Sequence, residues 1–424
     1  MTDLRRTFDR ELQASRVAAM IGRASSLLNF ARSHIGWVLA ACAFVGAAVL
    51  TKPSFDSIDA GVMGQVANNI LHHGTPMVKL QFPTYQVREF HLGTYSKYGL
   101  GMSLLWVPFL ALDDALGLSQ LRLVTLVSPL LLAATVLVMF SLAITLGATR
   151  RQAAIVTVAI AFGTFLFTYG TTYFSESAVA LTVALALLGL ARLGSSLTWA
   201  GAIGGASGLS VLFRTDSLVL VALPVACAMV ALRPTLRQIA VATIVALPPL
   251  ALWGWYNVAR FGSLFSLGYR TDPGFTHPFG DGLVALLVSP GKGIIWFAPV
   301  LILTLWSIRG AYRRWPILTV LAIVLICSRF LFFASWWAWD GGLSFGPRFI
   351  VPALPAFAIP MTAFVIERGR NPRFVRIGAG LVVFGALMAL LGAISVGSWG
   401  TNAPAGSWRS NPIVIVVQAH LHHL

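Results

Sequence analysis

The sequence predicts an all-α, polytopic membrane protein of about 11 transmembrane helices, with juxtamembrane helices in its first extracytoplasmic loop. Two observations predict it. Mean hydropathy is +0.80, and 57% of the 424 residues are apolar against 10% charged. Runs long enough to cross a hydrocarbon core of ~30 Å, about 20 residues each, therefore recur along the chain. Basic residues also gather at alternating ends of those runs, as the positive-inside tendency requires.

In chain order, residues 1–35 carry Arg5, Arg6, Arg10, Arg16, Arg23 and Arg32 with no small-residue cleavage pattern after the next apolar run. They are expected to form an uncleaved cytoplasmic arm. Spans follow near 36–51, 122–147, 152–171, 177–193, 198–213, 217–232, 238–257, 293–308, 316–333, 349–366 and 377–397. The stretch 99–112 decides the parity: it is apolar but short, contains Pro108 and runs into Asp113-Asp114. If it crosses, Arg150-Arg151, the Arg309/Arg313/Arg314 cluster and Arg368/Arg370/Arg373/Arg376 all fall outside. If it lies in the interface or re-enters, they fall inside. On the second reading 18 of the 30 Lys/Arg and 4 of the 14 Asp/Glu are cytoplasmic, leaving 12 and 10 outside. The organisation is then the arm 1–35, a transmembrane domain 36–397 with its first outer loop at 52–121, and a tail 398–424. Outer loops 52–121, 258–292 and 334–348 are expected to roof a cavity at the outer leaflet of a cell (inner or plasma) membrane.

Composition excludes several function classes. Cys42, Cys227 and Cys327 lie singly in apolar runs, which suggests neither a disulfide framework nor a zinc site. An isoelectric point near 10.8 would suit nucleic acid, but the basic residues sit between membrane segments, so no nucleic-acid partner is expected. His72-His73 and the terminal His420, His422 and His423 have no acidic partner at ligand spacing, so no metal site is expected. No cofactor is expected either, and any divalent-cation requirement stays open.

The acidic residues carry the functional signal. Asp56 and Asp59 stand just beyond the first span, where an enzyme working at the outer face needs a general base. Residues 59–73 read as an amphipathic surface helix, with Val62, Val66 and Ile70 on one face, ended by Gly74 and Pro76. Asp56 or Asp59 either caps that helix or serves chemistry, and the two roles are compatible. Glu176 sits at the tip of the hairpin between the third and fourth spans, on the same side as Asp59, as a functional carboxylate or as part of a solvated turn. Lys97 suits a phosphate or a snorkelling anchor. Arg260, Arg270, Lys292 and Arg348 are either phosphate ligands or interfacial charges. Trp339, beside Trp336 and Trp337, stacks on a sugar or belongs to the aromatic belt.

The pattern Asp59-x7-Ala67-x-Asn-Ile-Leu-x2-Gly74 after the first span resembles the first-loop motif of the GT-C superfamily of integral-membrane glycosyltransferases. That superfamily includes the protein O-mannosyltransferases and the lipid A aminoarabinose transferase. Tyr95-Ser-Lys-Tyr-Gly-Leu-Gly-Met-Ser-Leu-Leu-Trp-Val-Pro108 resembles its second juxtamembrane segment, with Lys97 in the Lys place and Tyr98-Gly99 where the aminoarabinose transferase motif has a double proline. Later stretches beginning at Asn257, Ser289 and Trp336 are similar to bacterial members, so the likeness runs from about residue 52 to 360. The resemblance implies Asp59 as the principal active-site carboxylate, with Asp56 the alternative one turn away, and Glu176 as a second acid. It places Lys97 near a donor phosphate.

It implies transfer of a sugar, with inversion, from a polyprenyl-phosphate donor to an extracytoplasmic acceptor that is a glycan, a lipid or a protein. Membrane lipid is the other partner, since the polyprenyl tail would lie between spans. The rival reading, a lipid-linked-sugar flippase or transporter, expects ionisable residues along a path within the spans. Here those are confined to Arg329 and the Arg214/Asp216 pair. A non-catalytic membrane subunit retaining the fold is the third reading.

Overall fold

The computed structural model describes residues 34–55, 57–79, 86–89, 93–118, 121–264 and 273–395, with five positions between 407 and 414. Helix α1 (Ile35–Leu50) leads into a segment with α2 (Ile58–His73), an antiparallel hairpin of β1 (Gln86–Glu89) and β2 (Gly93–Ser96), and α3 (Gly101–Ala115). The bundle continues through α4 (Val127–Thr145), α5 (Arg150–Ala161), α6 (Leu166–Tyr169), α7 (Glu176–Ala191), α8 (Leu197–Phe213), α9 (Leu223–Ala231) and α10 (Leu236–Phe261). Its second half holds α11 (Phe279–Val288), α12 (Ile294–Phe297), α13 (Ile308–Arg314), α14 (Pro316–Ala334), α15 (Ala358–Arg368) and α16 (Pro372–Ile394). Segments of 3-10 helix, Pro299–Ser307 and Arg348–Phe357, run into α13 and α15.

All eleven predicted apolar stretches are helical over most of their length. Among the described residues, five helices are long and apolar enough to cross a membrane: Val124–Thr145, Leu236–Phe261, Pro316–Ala334, Arg348–Arg368 and Pro372–Ile394. Five further apolar helices are shorter, among them α1, α7 and α8. The predicted spans 152–171 and 293–308 are interrupted helices, the second containing the 3-10 stretch that starts at Pro299. The hairpin departs from the all-α expectation, pairing Val87 with Tyr95 and Gln86 with Ser96. Thr94 and Tyr95 favour a strand, and Arg260 binds the backbone at its far end.

Close backbone approach sets the packing of the helices that carry the site. On α8, Gly204 and Gly208 face α10, and a Cβ on either would run into the backbone at Ala242 or Ala246. Without a hydrophobic drive between helices in lipid, such small-residue contacts supply the packing. The ambiguous stretch 99–112 becomes α3, with Pro108 inside it and Ser103 Oγ donating to the Met63 carbonyl of α2 at 2.8 Å. The two helices of the predicted first outer loop thus pack on each other. The buried Asp113 at the end of α3 accepts from the Leu123 amide at 3.0 Å and holds the next turn.

Side-chain contacts join loops predicted to share a side. Arg192 Nε donates to Thr145 Oγ1 at 2.8 Å, Gln238 Nε2 to the Leu193 carbonyl at 2.7 Å, and Arg314 pairs with Glu367 at 3.7 Å. All of these border predicted cytoplasmic loops. Among the predicted outer segments, Asn411 Nδ2 donates to the Pro290 carbonyl at 2.6 Å.

Candidate active site

Helix α2 starts at Ser57, whose Oγ accepts from the Ala60 amide at 3.2 Å, and ends at Gly74 in the left-handed conformation. Ser57 therefore supplies the side-chain cap. That leaves the Asp59 carboxylate to long-range partners. Val62, Met63, Val66 and Ala67, three, four, seven and eight residues on from Asp59, are buried along the same face and turn it into the bundle. Asp59 Oδ1 accepts from the Tyr98 hydroxyl at 2.6 Å and Oδ2 from Arg348 Nη1 at 3.0 Å, with the side chain still 17% exposed.

Tyr98 reaches Asp59 because its turn is pinned from two directions. Gly99 lies so close to the Leu212 and Phe213 carbonyls at the end of α8 that no Cβ fits. Arg260, buried at the end of α10, donates Nη1 to the Ser96 and Tyr98 carbonyls at 3.0 and 2.8 Å and Nη2 to Asn257 Oδ1 at 2.6 Å. Its guanidinium lies 4.0 Å from the Tyr256 ring centre.

Arg348 is delivered by the turn after α14. Gly341 and Gly342 have φ of +72° and +65°, a region closed to most side chains, and the Gly342 amide donates to Asp340 Oδ1 at 3.0 Å. Lys292 holds this turn from beneath, its Nζ donating to the Ser344 and Gly342 carbonyls at 2.6 and 3.1 Å and to Ser344 Oγ at 3.2 Å. Burial pushes the Lys292 ammonium down to about 8, with Asp340 opposing and Arg348 adding to the shift.

Behind Arg348 lies a second carboxylate. Glu176 at the start of α7 is 1% exposed and accepts from Arg214 Nη1 at 2.7 Å, while Arg348 Nε stands 3.3 Å away without an aligned hydrogen bond. Arg214 Nε donates to Asp216 Oδ1 at 3.0 Å, and Arg329 Nη1 reaches Asp216 Oδ2 at 3.5 Å and the Phe349 carbonyl at 3.2 Å. Burial by itself would raise the Asp216 carboxyl, but Arg214 and Arg329 outweigh it and hold it below the usual carboxylate range. Asp59, Arg348, Glu176, Arg214, Asp216 and Arg329 thus form one file of alternating charge.

Of the residues singled out from sequence, Asp59, Glu176 and Arg348 meet in this file. Lys97 is half-buried between Ser96 and Tyr98, in the turn beside it. Arg260 and Lys292 support the two turns that deliver Tyr98 and Arg348. Trp339 is half-buried and packs on the His277 ring at 5.4 Å. Asp56 and Arg270 lie outside the described residues. Tyr98 and the trio Arg214, Asp216 and Arg329 were missed as site residues, although ionisable groups at and inside apolar runs were a usable signal for the trio. Among the described residues no three His, Cys, Asp or Glu converge as metal ligands. His72 meets Asp114 at 3.2 Å, and both side chains are nearly half exposed.

No protein-family model matches this sequence, and no curated protein matches it. The fold is similar to solved structures. ArnT from Cupriavidus metallidurans bound to undecaprenyl phosphate superposes with a TM-score of 0.57 at 12% identity over 92% of this chain and 77% of that one. The apo state of the same protein gives 0.54 at 13% over 93% and 77%. The oligosaccharyltransferase of Archaeoglobus fulgidus in complex with zinc and sulfate gives 0.51 at 13% over 87% of this chain and 54% of its own length. The chain described here shares the fold of these proteins, the fold that its resemblance to the GT-C glycosyltransferases implied.

Proposed function

We propose that this chain is an integral-membrane glycosyltransferase that takes a sugar from a polyprenyl-phosphate carrier and passes it, with inversion, to a glycan, lipid or protein acceptor at the extracytoplasmic face. The observation that carries the reading is the Asp59 carboxylate held between the Tyr98 hydroxyl and the Arg348 guanidinium. Asp59 and its neighbour Arg348 are suited to opposite ends of a transfer. The acceptor oxygen attacks the anomeric carbon and gives its proton to Asp59, while the bond from that carbon to the phosphate oxygen breaks. Arg348, a guanidinium beside that carboxylate, is assigned to the phosphate on which negative charge grows. Lys97 is assigned to the same phosphate from the turn beside Tyr98. The fold of a protein crystallised with undecaprenyl phosphate supports the choice of carrier, and a lipid donor dispenses with any nucleotide-binding domain.

The test is binding and transfer by the purified protein in lipid nanodiscs. Undecaprenyl phosphate should bind, and Arg348→Ala and Lys97→Ala should each weaken it, a charge-assisted contact contributing about 1.5–3 kcal/mol. Glycan mass spectrometry of a deletion strain should then show a missing sugar. A wild-type protein that ignores the lipid phosphate, with unchanged glycans in the deletion strain, would reject the reading.

A further inference from the structure

We propose that Arg214 is a positioning residue for Arg348: by neutralising Glu176 it sets how much of the Arg348 charge remains for an incoming phosphate. The proposal rests on the assignment of Arg348 as a phosphate ligand. Glu176 Oε1 is shared by two guanidiniums, Arg214 at 2.7 Å in an aligned hydrogen bond and Arg348 at 3.3 Å without one. The nearer, aligned cation satisfies most of the carboxylate, so Arg348 stays turned toward Asp59.

A buried carboxylate stripped of its partner is costly and draws in whatever cation is left. Removing Arg214 leaves Arg348 as the remaining partner that Glu176 has in this file. Its Nε would swing into alignment with Glu176 and its other donors away from Asp59. The file would also change from three cations and three carboxylates to two and three, which repels a phosphate. Arg214 is itself held rigidly, by Asp216 at 3.0 Å and by the Phe349 ring, which the Arg214 and Arg348 guanidiniums approach at 5.4 and 5.0 Å. Phe349 is stacked on Phe333 at 4.1 Å, and its carbonyl accepts from Arg329.

A buried arginine that merely holds the fold together would lower stability when replaced, and removing its partner as well would not repair binding. Positioning predicts the opposite pattern. With undecaprenyl phosphate as the probe, in nanodiscs, Arg214→Gln should weaken binding about tenfold, and adding Glu176→Gln should bring it back to within about threefold of wild type. In an Arg348→Ala background, Arg214→Gln should have no further effect. Asp216→Asn keeps both members of the pair and, as the milder change, should give a smaller loss in the same direction while keeping the fold. Wild-type binding by both Arg214→Gln and Asp216→Asn overturns the proposal, as does a loss in Arg214→Gln that Glu176→Gln leaves in place. If the wild type binds no probe, the phosphate reading of Arg348 falls with it; if wild type and Arg348→Ala behave as expected and only the Arg214 pattern fails, the positioning role alone falls.

Discussion

Arg348 Nη1 lies 3.0 Å from Asp59 Oδ2 across 289 residues of sequence. One carboxylate at the start of α2 is thereby tied to the turn that closes the later half of the bundle. Because Ser57 caps α2, Asp59→Asn should cost the helix less than ~1 kcal/mol. Loss of the base should instead lower transfer by ~10²-fold or more. Comparing transfer and thermal unfolding of Asp59→Asn, Asp56→Asn and Glu176→Gln separates the carboxylates. Full activity in all three would remove the acid-base mechanism.

Tyr98 donates to the other Asp59 oxygen, so Tyr98→Phe should lower transfer about tenfold, the equivalent of one hydrogen bond to a charged group, with little change in unfolding temperature. Gly99→Ala tests the same turn differently. Its Cβ has no room against the Leu212 and Phe213 carbonyls, so it should both destabilise the protein, by about 1–3 kcal/mol, and reduce transfer. A Gly99→Ala variant with wild-type stability would show that the turn does not need this approach to α8.

What could be read from the sequence divides along the range of the forces involved. The apolar stretches were legible because burial in lipid is recorded locally, residue by residue, and Asp59, Glu176 and Arg348 were legible as charges standing at the ends of such stretches. Their partners were not. Tyr98 lies 39 residues from Asp59 and Arg214 lies 38 from Glu176, and no periodicity extends that far. Arg260 and Lys292 stood in the sequence as either phosphate ligands or interfacial charges, and the carbonyls of Tyr98 and Ser344 that they bind could not be seen there, because a sequence shows a cation but not its distant backbone partners. The hairpin of β1 and β2 escaped because four-residue strands carry too little alternation to register.

Lys292 gives a pH dependence whose sign can be worked out. Its folded value of about 8 lies below the roughly 10.4 of an unfolded lysine, so between those values the unfolded chain binds more protons. The Lys292 contribution to stability is therefore lowest and flat below pH about 8 and rises as the pH climbs toward about 10.4, by at most ~3 kcal/mol. Thermal unfolding of wild type and Lys292→Met, measured from pH 7 to 10.5, should show the difference between them changing across that window. A constant difference would mean that Lys292 is not desolvated as its buried contacts to Ser344 imply.

Sidedness is the remaining prediction, and it follows from which loops touch. Contacts between 145 and 192, 193 and 238, and 314 and 367 join segments assigned inside, whereas those between 59 and 348, 176 and 214, and 290 and 411 join segments assigned outside. The pattern fixes which loops share a side, and the charge bias names the side. Cys42, Cys227 and Cys327 are exposed, so they must be replaced before single cysteines are placed at positions 80, 151, 280 and 312. An impermeant thiol reagent on intact cells should label 80 and 280 and spare 151 and 312. If 99–112 crossed the membrane instead of lying against α2, every later loop would change side. Then 80 would still label, but 280 would be protected and 151 and 312 would react, a result that moves Asp59 and Arg348 to opposite faces and excludes the site assembled around them.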